Sequence, residues 1–388
     1  MNYILFDDAA IRPHLLPLAF TRPTAEMRVG IQTISKKWEG YLKESISYLT
    51  EAYLQTKYPC KHAPDSIYIN GAVCPSDALV RAVVALQMGE GLEKEGTLLA
   101  YRKASPLEDI ADIAVNTFEG EVRIIRHVTD IFAHNGEQLR ADFARITRGR
   151  TSEPITDRFT AYYNESQIFI EEGANIKAAS LNAENGPIYI GKNVTIMEGT
   201  HIQGPFAILD GSAVNVGGKM RPNTTIGPSC KVGGEVSNAV MFANSNKGHE
   251  GFMGNAVIGE WCNWGADTNN SNLKNDYTKV ELWSYATNRY ENTGLQFVGI
   301  IMGDHSKCGI NTMFNTGTVV GVNCNIFGAE FQARHIPSFS WGGGETFKTY
   351  HIRKANQVAR AVFERRGKTF DEVEENILKE VFQLTHSS

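Results

Sequence analysis

Between residues 186 and 344 the apolar positions recur at a step that fits neither an amphipathic helix nor an alternating strand. Ile190, Ile196, Ile202, Ile208, Val214, Met220, Ile226 and Val232 stand six residues apart. At the chain's apolar frequency of 42%, a chosen register gives eight such hits about one time in a thousand. A second series, Met302, Cys308, Phe314, Val320 and Ile326, repeats the step, and Phe252, Ile258 and Trp264 form a shorter one between them. This period predicts a hexapeptide parallel β-helix. Three units of strand and turn close a triangular coil of about 18 residues, and coils stack about 4.8 Å apart. The sixth residue points inward, and stability grows by stacking because one coil cannot bury its own interior. Gly191, Gly227, Gly259, Gly303 and Gly321 each follow an inward residue, where a side chain would crowd the next coil.

The pattern differs on either side. Residues 1 to about 150 read as α/β, with strands at 3–6 and 66–70, a helix over 29–41 and another over 76–87 behind Pro75. From residue 345 the spacing is helical: Ala355, Val358, Ala359, Val362 and Phe363 share a face, Gly367 ends it, and Thr369 with Glu372 gives a capping-box signal for a second helix. The chain therefore divides into an α/β domain over 1–155, the β-helix over 165–344 and a helical cap over 345–388. A prism is smooth, so function is expected where its repeat breaks. Two breaks occur: residues 240–251, where the phase is lost, and a polar insertion at 271–296 that is too long for a corner turn.

Composition narrows the class. Thirty-eight Lys+Arg against 43 Asp+Glu leave a net charge of -5, so no chain-wide positive field draws the protein to nucleic acid or anionic lipid. No apolar run approaches the roughly 20 residues that span a bilayer. The six cysteines show no metal or redox spacing, and the start lacks the basic and apolar regions of a secretory leader. The expectation is a cytoplasmic protein with reduced thiols and no nucleic-acid or membrane partner.

Residues 246–273 read Asn-Lys-Gly-His-Glu-Gly-Phe-Met-Gly-Asn-Ala-Val-Ile-Gly-Glu-Trp-Cys-Asn-Trp-Gly-Ala-Asp-Thr-Asn-Asn-Ser-Asn-Leu, and Ile-Ile-Met-Gly-Asp-His-Ser-Lys-Cys-Gly-Ile-Asn follows at 300–311. These segments resemble the acetyltransferase half of the bifunctional sugar-1-phosphate nucleotidylyltransferase/acetyltransferases. The resemblance implies a left-handed parallel β-helix, usually assembled as a homotrimer with active sites between prisms. It implies that His249 is the general base, taking a proton from the amine of an amino-sugar 1-phosphate as nitrogen attacks acetyl-CoA. An imidazole suits that task because it titrates near 6.5 in water. By the same resemblance Arg221, Lys247, Asn272 and Lys279 contact the sugar phosphate, and backbone near Ala266 and Ile310 holds acetyl-CoA. The chain departs from the family pattern in three places. Phe252 replaces a tyrosine, Leu273 stands at a later tyrosine position as in archaeal-type members, and Lys247 lies two residues before the histidine rather than three.

The amino-terminal half is similar to a divergent bacterial branch of the same family, through Leu-Pro-Leu-Ala-Phe-Thr-Arg-Pro-Thr-Ala-Glu-Met-Arg-Val-Gly at 16–30. That makes Arg22 and Arg28 the candidates for nucleotide phosphate, with UTP or dTTP as nucleotide and Mg²⁺ as cofactor. Yet the family's glycine-rich phosphate loop is Phe-Asp-Asp-Ala-Ala-Ile here, and its metal-binding aspartate position is Ala72. Which carboxylate would hold the metal stays open among Asp7, Asp8, Asp130 and a carboxylate relocated elsewhere in the chain. The expected function is acetyl-CoA-dependent N-acetylation of an amino-sugar 1-phosphate, joined to a divergent nucleotidylyltransferase domain in nucleotide-sugar synthesis. The alternative is a non-catalytic sugar-nucleotide sensor or scaffold.

Overall fold

The computed structural model of the chain describes residues 1–386. The first unit is a six-stranded sheet in the order Ile46–Leu49, Asn2–Phe6, Ser66–Asn70, Thr97–Lys103, Glu90–Lys94, Ala114–Thr117. Its first three strands are mutually parallel, and Thr97–Lys103 runs antiparallel to both neighbours. Four helices accompany it: α1 (Ile34–Leu42), α2 (Asp77–Ala85), α3 (Val128–Ala133) and α4 (Asn135–Ile146). Thr33 and Ser76 cap α1 and α2 by accepting from Lys36 N and Leu79 N, so α1 starts later than the apolar spacing implied.

The second unit is a parallel β-solenoid with three faces. Face one runs from Ile168–Ile170 through Ile188–Ile190, Phe206–Ile208 and Thr224–Ile226 to His335–Ile336. Face two runs from Asn175–Ile176 to Ser340–Gly343, and face three begins at Ala161–Tyr163 and ends near Met313–Phe314. The eight residues of the first predicted series are each at most 1% exposed, and the second series is buried as well. A closely filled interior column thus accounts for the period.

The phase slips ahead of the break expected at 240–251. Only fifteen residues separate Thr224 from Ala239 on face one, because Glu235–Met241 and Phe252–Ile258 run unbroken from face three to face one. Asn238 and Asn255 take φ of 48° at that passage. The inward residue is therefore Met253, at 0% exposure, and Phe252 lies half-buried at the surface, correcting the third series by one position. Residues 271–296 leave the prism and include the hairpin Glu281–Ser284 with Arg289–Asn292.

The corner glycines serve space rather than φ. A Cβ on Gly227 would lie 2.2 Å from Phe242 O in the next coil, and one on Gly321 2.4 Å from Ser338 N. Neither glycine has positive φ. Gly227→Ala is expected to cost about 1–3 kcal/mol or more, because the stacked backbone cannot spread. Urea denaturation checks this, and a midpoint equal to the parent's contradicts it.

The α/β unit packs along face one. Val240, Val257, Ile301 and Val319 point outward from that face, yet join the core that includes Leu5, Trp38 and Phe132. Helix α4 adds Leu139 and Phe143 against Phe169, Tyr189 and Ala207. At the carboxyl end, α5 (Ile352–Arg365) stacks Phe363 on Trp261 with centroids 3.8 Å apart, and α6 (Glu372–His386) follows. The α6 cap is Asp371, which accepts from Glu374 N, rather than Thr369. No helix among the described residues is long and apolar enough to cross a membrane.

Candidate active site

On face two the outward residues Lys231, Asn246, Asn263 and Lys307 form one ladder along successive coils. Lys247, Trp264 and Cys308 are their inward neighbours, and His249, Ala266 and Ile310 each come two residues later. These three consequently stack on one corner of the prism, on consecutive coils. The fold thereby brings the predicted base and both predicted acetyl-CoA positions into one groove of about 900 Å³, within the usual range for small-ligand sites.

The opposite wall is supplied by α5. Val358, Val362, Arg365 and Arg366 line the groove, so two of the five residues of the apolar stripe face this space. Arg366 donates to Ser229 O and, at 2.9 Å, to Asn246 Oδ1, which ties the helix end to the coils beneath. Lys368 reaches Asn244 Oδ1 at 3.1 Å and lies over the Trp261 ring. Lys231, Lys307, Arg365 and Arg366 give the groove four cationic side chains. Sequence reasoning missed this wall. Its one visible signal was the adjacent arginine pair at the end of a helix.

His249 is exposed, and its ring makes no hydrogen bond among the described residues. Its backbone is held firmly. Gly248 O accepts from Asn215 Nδ2 at 2.6 Å, and Glu250 O accepts from Asp267 N at 3.1 Å. Gly251 has φ of +115° and passes so close to Thr268 that a Cβ would lie 2.1 Å from its carbonyl oxygen, so only glycine fits there.

The other predicted positions lie elsewhere. Lys247 points into the prism at 2% exposure, which places its ammonium away from the groove. Arg221 is exposed and paired with Glu235 at 3.2 Å; Asn272 donates to Asn255 Oδ1 at 2.8 Å; Lys279 is exposed near the start of the insertion. None of these lines the groove.

Arg22 is turned away from the sheet and into the solenoid. It is 4% exposed, bonds Asp304 and, at 3.0 Å, Glu260, and stacks over Phe242. Burial alone would lower its pKa, but the two carboxylates push it above the usual arginine range. Arg28 donates to Ile31 O at 2.6 Å.

Each of the three carboxylates considered for Mg²⁺ accepts hydrogen bonds within the protein. Asp7 is committed to Arg12, Thr24 N and Thr50, and Asp8 to Ala10 N and Asn70. Asp130 accepts from Arg126 N and His127 N at the start of α3. Ala72 is fully buried, and no cluster of three His, Cys, Asp or Glu suited to a metal occurs among the described residues.

Comparison with known proteins agrees with this two-part architecture. Residues 3–151 match the family model described as sugar nucleotidyl transferase. Over 121 residues the chain is 34% identical to the bifunctional protein GlmU of Methanocaldococcus jannaschii, covering 31% of this chain and 29% of that protein. Over 165 residues it is 30% identical to a bifunctional sugar-1-phosphate nucleotidylyltransferase/acetyltransferase of Sulfurisphaera tokodaii, covering 42% and 39%. Over 174 residues it is 26% identical to an uncharacterized acetyltransferase, YaiX, of Escherichia coli, covering 44% and 70%. The matches thus span well under half of either archaeal protein. Among solved structures, a UDP-N-acetylglucosamine acyltransferase from Bacteroides fragilis aligns over 60% of this chain and 86% of its own, at 20% identity and a TM-score of 0.24. The chain is thus similar, over part of their length, to the bifunctional sugar-1-phosphate nucleotidylyltransferase/acetyltransferases, and its residues 3–151 match the sugar nucleotidyl transferase model ahead of the parallel solenoid.

Proposed function

We propose that the chain is an acetyl-CoA-dependent N-acetyltransferase whose acceptor is an amino-sugar 1-phosphate. The observation that carries this reading is the stacking of His249, Ala266 and Ile310 on one corner of a groove with four cationic side chains. The phosphates of acetyl-CoA are anionic and suit Lys231, Lys307, Arg365 and Arg366. Ile310, 69% exposed, and Val358 offer apolar surface to the pantetheine arm. In the reaction the acceptor nitrogen attacks the thioester carbonyl carbon, His249 takes the proton released from nitrogen, the C–S bond breaks, and the CoA thiolate leaves and is protonated. No covalent intermediate with the protein is needed.

Face one is covered by the chain's own α/β unit and the groove wall comes from its own α5. A homotrimer of this protein would therefore pair prisms through face three, where Arg221, Glu235 and Phe252 lie.

For the amino-terminal unit, the engagement of Arg22 and of three carboxylates supports a non-catalytic role. One assay separates the two halves. Acetyl-CoA with glucosamine 1-phosphate is expected to release thiol, whereas UTP or dTTP with Mg²⁺ and a sugar phosphate is expected to release no pyrophosphate. Absence of thiol release with glucosamine and galactosamine 1-phosphates alike rejects the acetyl-transfer reading. Pyrophosphate release rejects the non-catalytic one.

A further inference from the structure

Four consecutive carbonyls fix the His249 turn, and one of them is held differently. Those of Gly248, Glu250 and Gly251 accept from Asn215 Nδ2, Asp267 N and Glu235 N, each from another coil. His249 O accepts from Lys247 Nζ at 2.9 Å, and the same ammonium donates to Gly233 O in the preceding coil at 2.8 Å. Lys247 sits between Val232 and Trp264 in the inward column of face two, which is apolar from Ile176 to Val232 and again from Trp264 to Ile326. An apolar side chain would fill this position without desolvating a charge, so packing does not account for a lysine. The coil shortened before it sets the parity: Asn246, three residues ahead of the histidine, faces the groove, and Lys247 faces inward. Burial pushes the lysine down to about 8; Glu250 and Asp267 oppose this and Lys219 adds to it.

We propose that Lys247 is a positioning residue, its ammonium tying the His249 carbonyl to the Gly233 corner and so setting the direction in which the imidazole enters the groove. This rests on His249 being the base of the acetyl-transfer reading. Lys247→Met keeps an unbranched side chain of similar length and removes the donors. The variant is expected to lose about 10- to 100-fold in kcat with KM for acetyl-CoA unchanged, since misplacing a catalytic group by about 1 Å has effects of that size. Its Tm is expected to stay close to the parent's, because relief from burying a cation offsets the loss of the two hydrogen bonds to Gly233 O and His249 O. In a His249→Ala background the same substitution is expected to have no further effect, as residues acting through one another are not additive. The His249 imidazole resonance, assigned by its loss in His249→Ala, is expected to shift in Lys247→Met.

Full kcat in Lys247→Met overturns the proposal, as does an equal fold-loss in the His249→Ala background. If the parent releases no thiol, acetyl transfer fails on its own, and the resonance still decides the lysine: a shift supports the tether and an unmoved signal overturns it.

Discussion

Replacing His249 with alanine is expected to lower thiol release from acetyl-CoA and glucosamine 1-phosphate by about 100- to 10,000-fold, the range that a positioned general base supplies. The magnitude follows from geometry. The ring stands free at the groove rim while its main chain is bonded on both sides, so little reorganisation is needed before proton transfer. Because the ring is exposed and makes no hydrogen bond, the substitution is expected to leave Tm within about 2 °C of the parent, as surface changes away from special features usually do. KM for acetyl-CoA is expected to stay constant, since the groove's cations and Ile310 remain. A variant with parental rate would remove His249 from the mechanism; a variant that melts early would mean the turn depends on the ring.

The second large effect concerns Arg22. Arg22→Met is expected to destabilise the protein by about 3–5 kcal/mol, because the substitution leaves the buried Asp304 carboxylate without its cationic partner in the seam between the two units and removes one of the cations beside Glu260. Asp304 accepts from Thr21 Oγ1 at 2.7 Å and from Glu260 N at 2.8 Å, so it is too tightly held to turn to solvent. Arg22, Lys57 and neighbouring Arg28 hold the Glu260 carboxyl below its ordinary range despite burial, which marks it as ionised when the arginine is present. At roughly 2–4 °C per kcal/mol, Tm should fall by roughly 6–20 °C. Adding Asp304→Asn and Glu260→Gln to Arg22→Met is expected to recover part of the loss. No recovery would assign the effect to the lost stacking on Phe242, and an unchanged Tm for the single variant would contradict the ion-pair account altogether.

The solenoid was legible because the inward residue of each hexapeptide is a local requirement, met at Ile190 and again at each sixth position to Val232 whatever the rest of the chain does. The His249 turn and the Ala266 and Ile310 positions were legible by resemblance, and the corner they share came from the stacking of the coils. Two site assignments turned on features that no local pattern carries. Lys247 faces inward because the coil between Thr224 and Ala239 lost three residues, and a shift in parity exchanges groove for interior. Arg22 lies in a sequence motif suited to phosphate, yet its neighbours in space are carboxylates more than 230 residues away.

The sequence by itself determined the period, the two breaks and the imidazole at the first of them, since each depends on residues near in the chain. Only tertiary structure decided that α5 folds back to wall the groove, through Phe363 on Trp261, and that the α/β unit covers face one. Such docking is governed by apolar surface left over after local structure has formed, and its partners are chosen by complementarity across the whole molecule, which spacing along the chain does not encode.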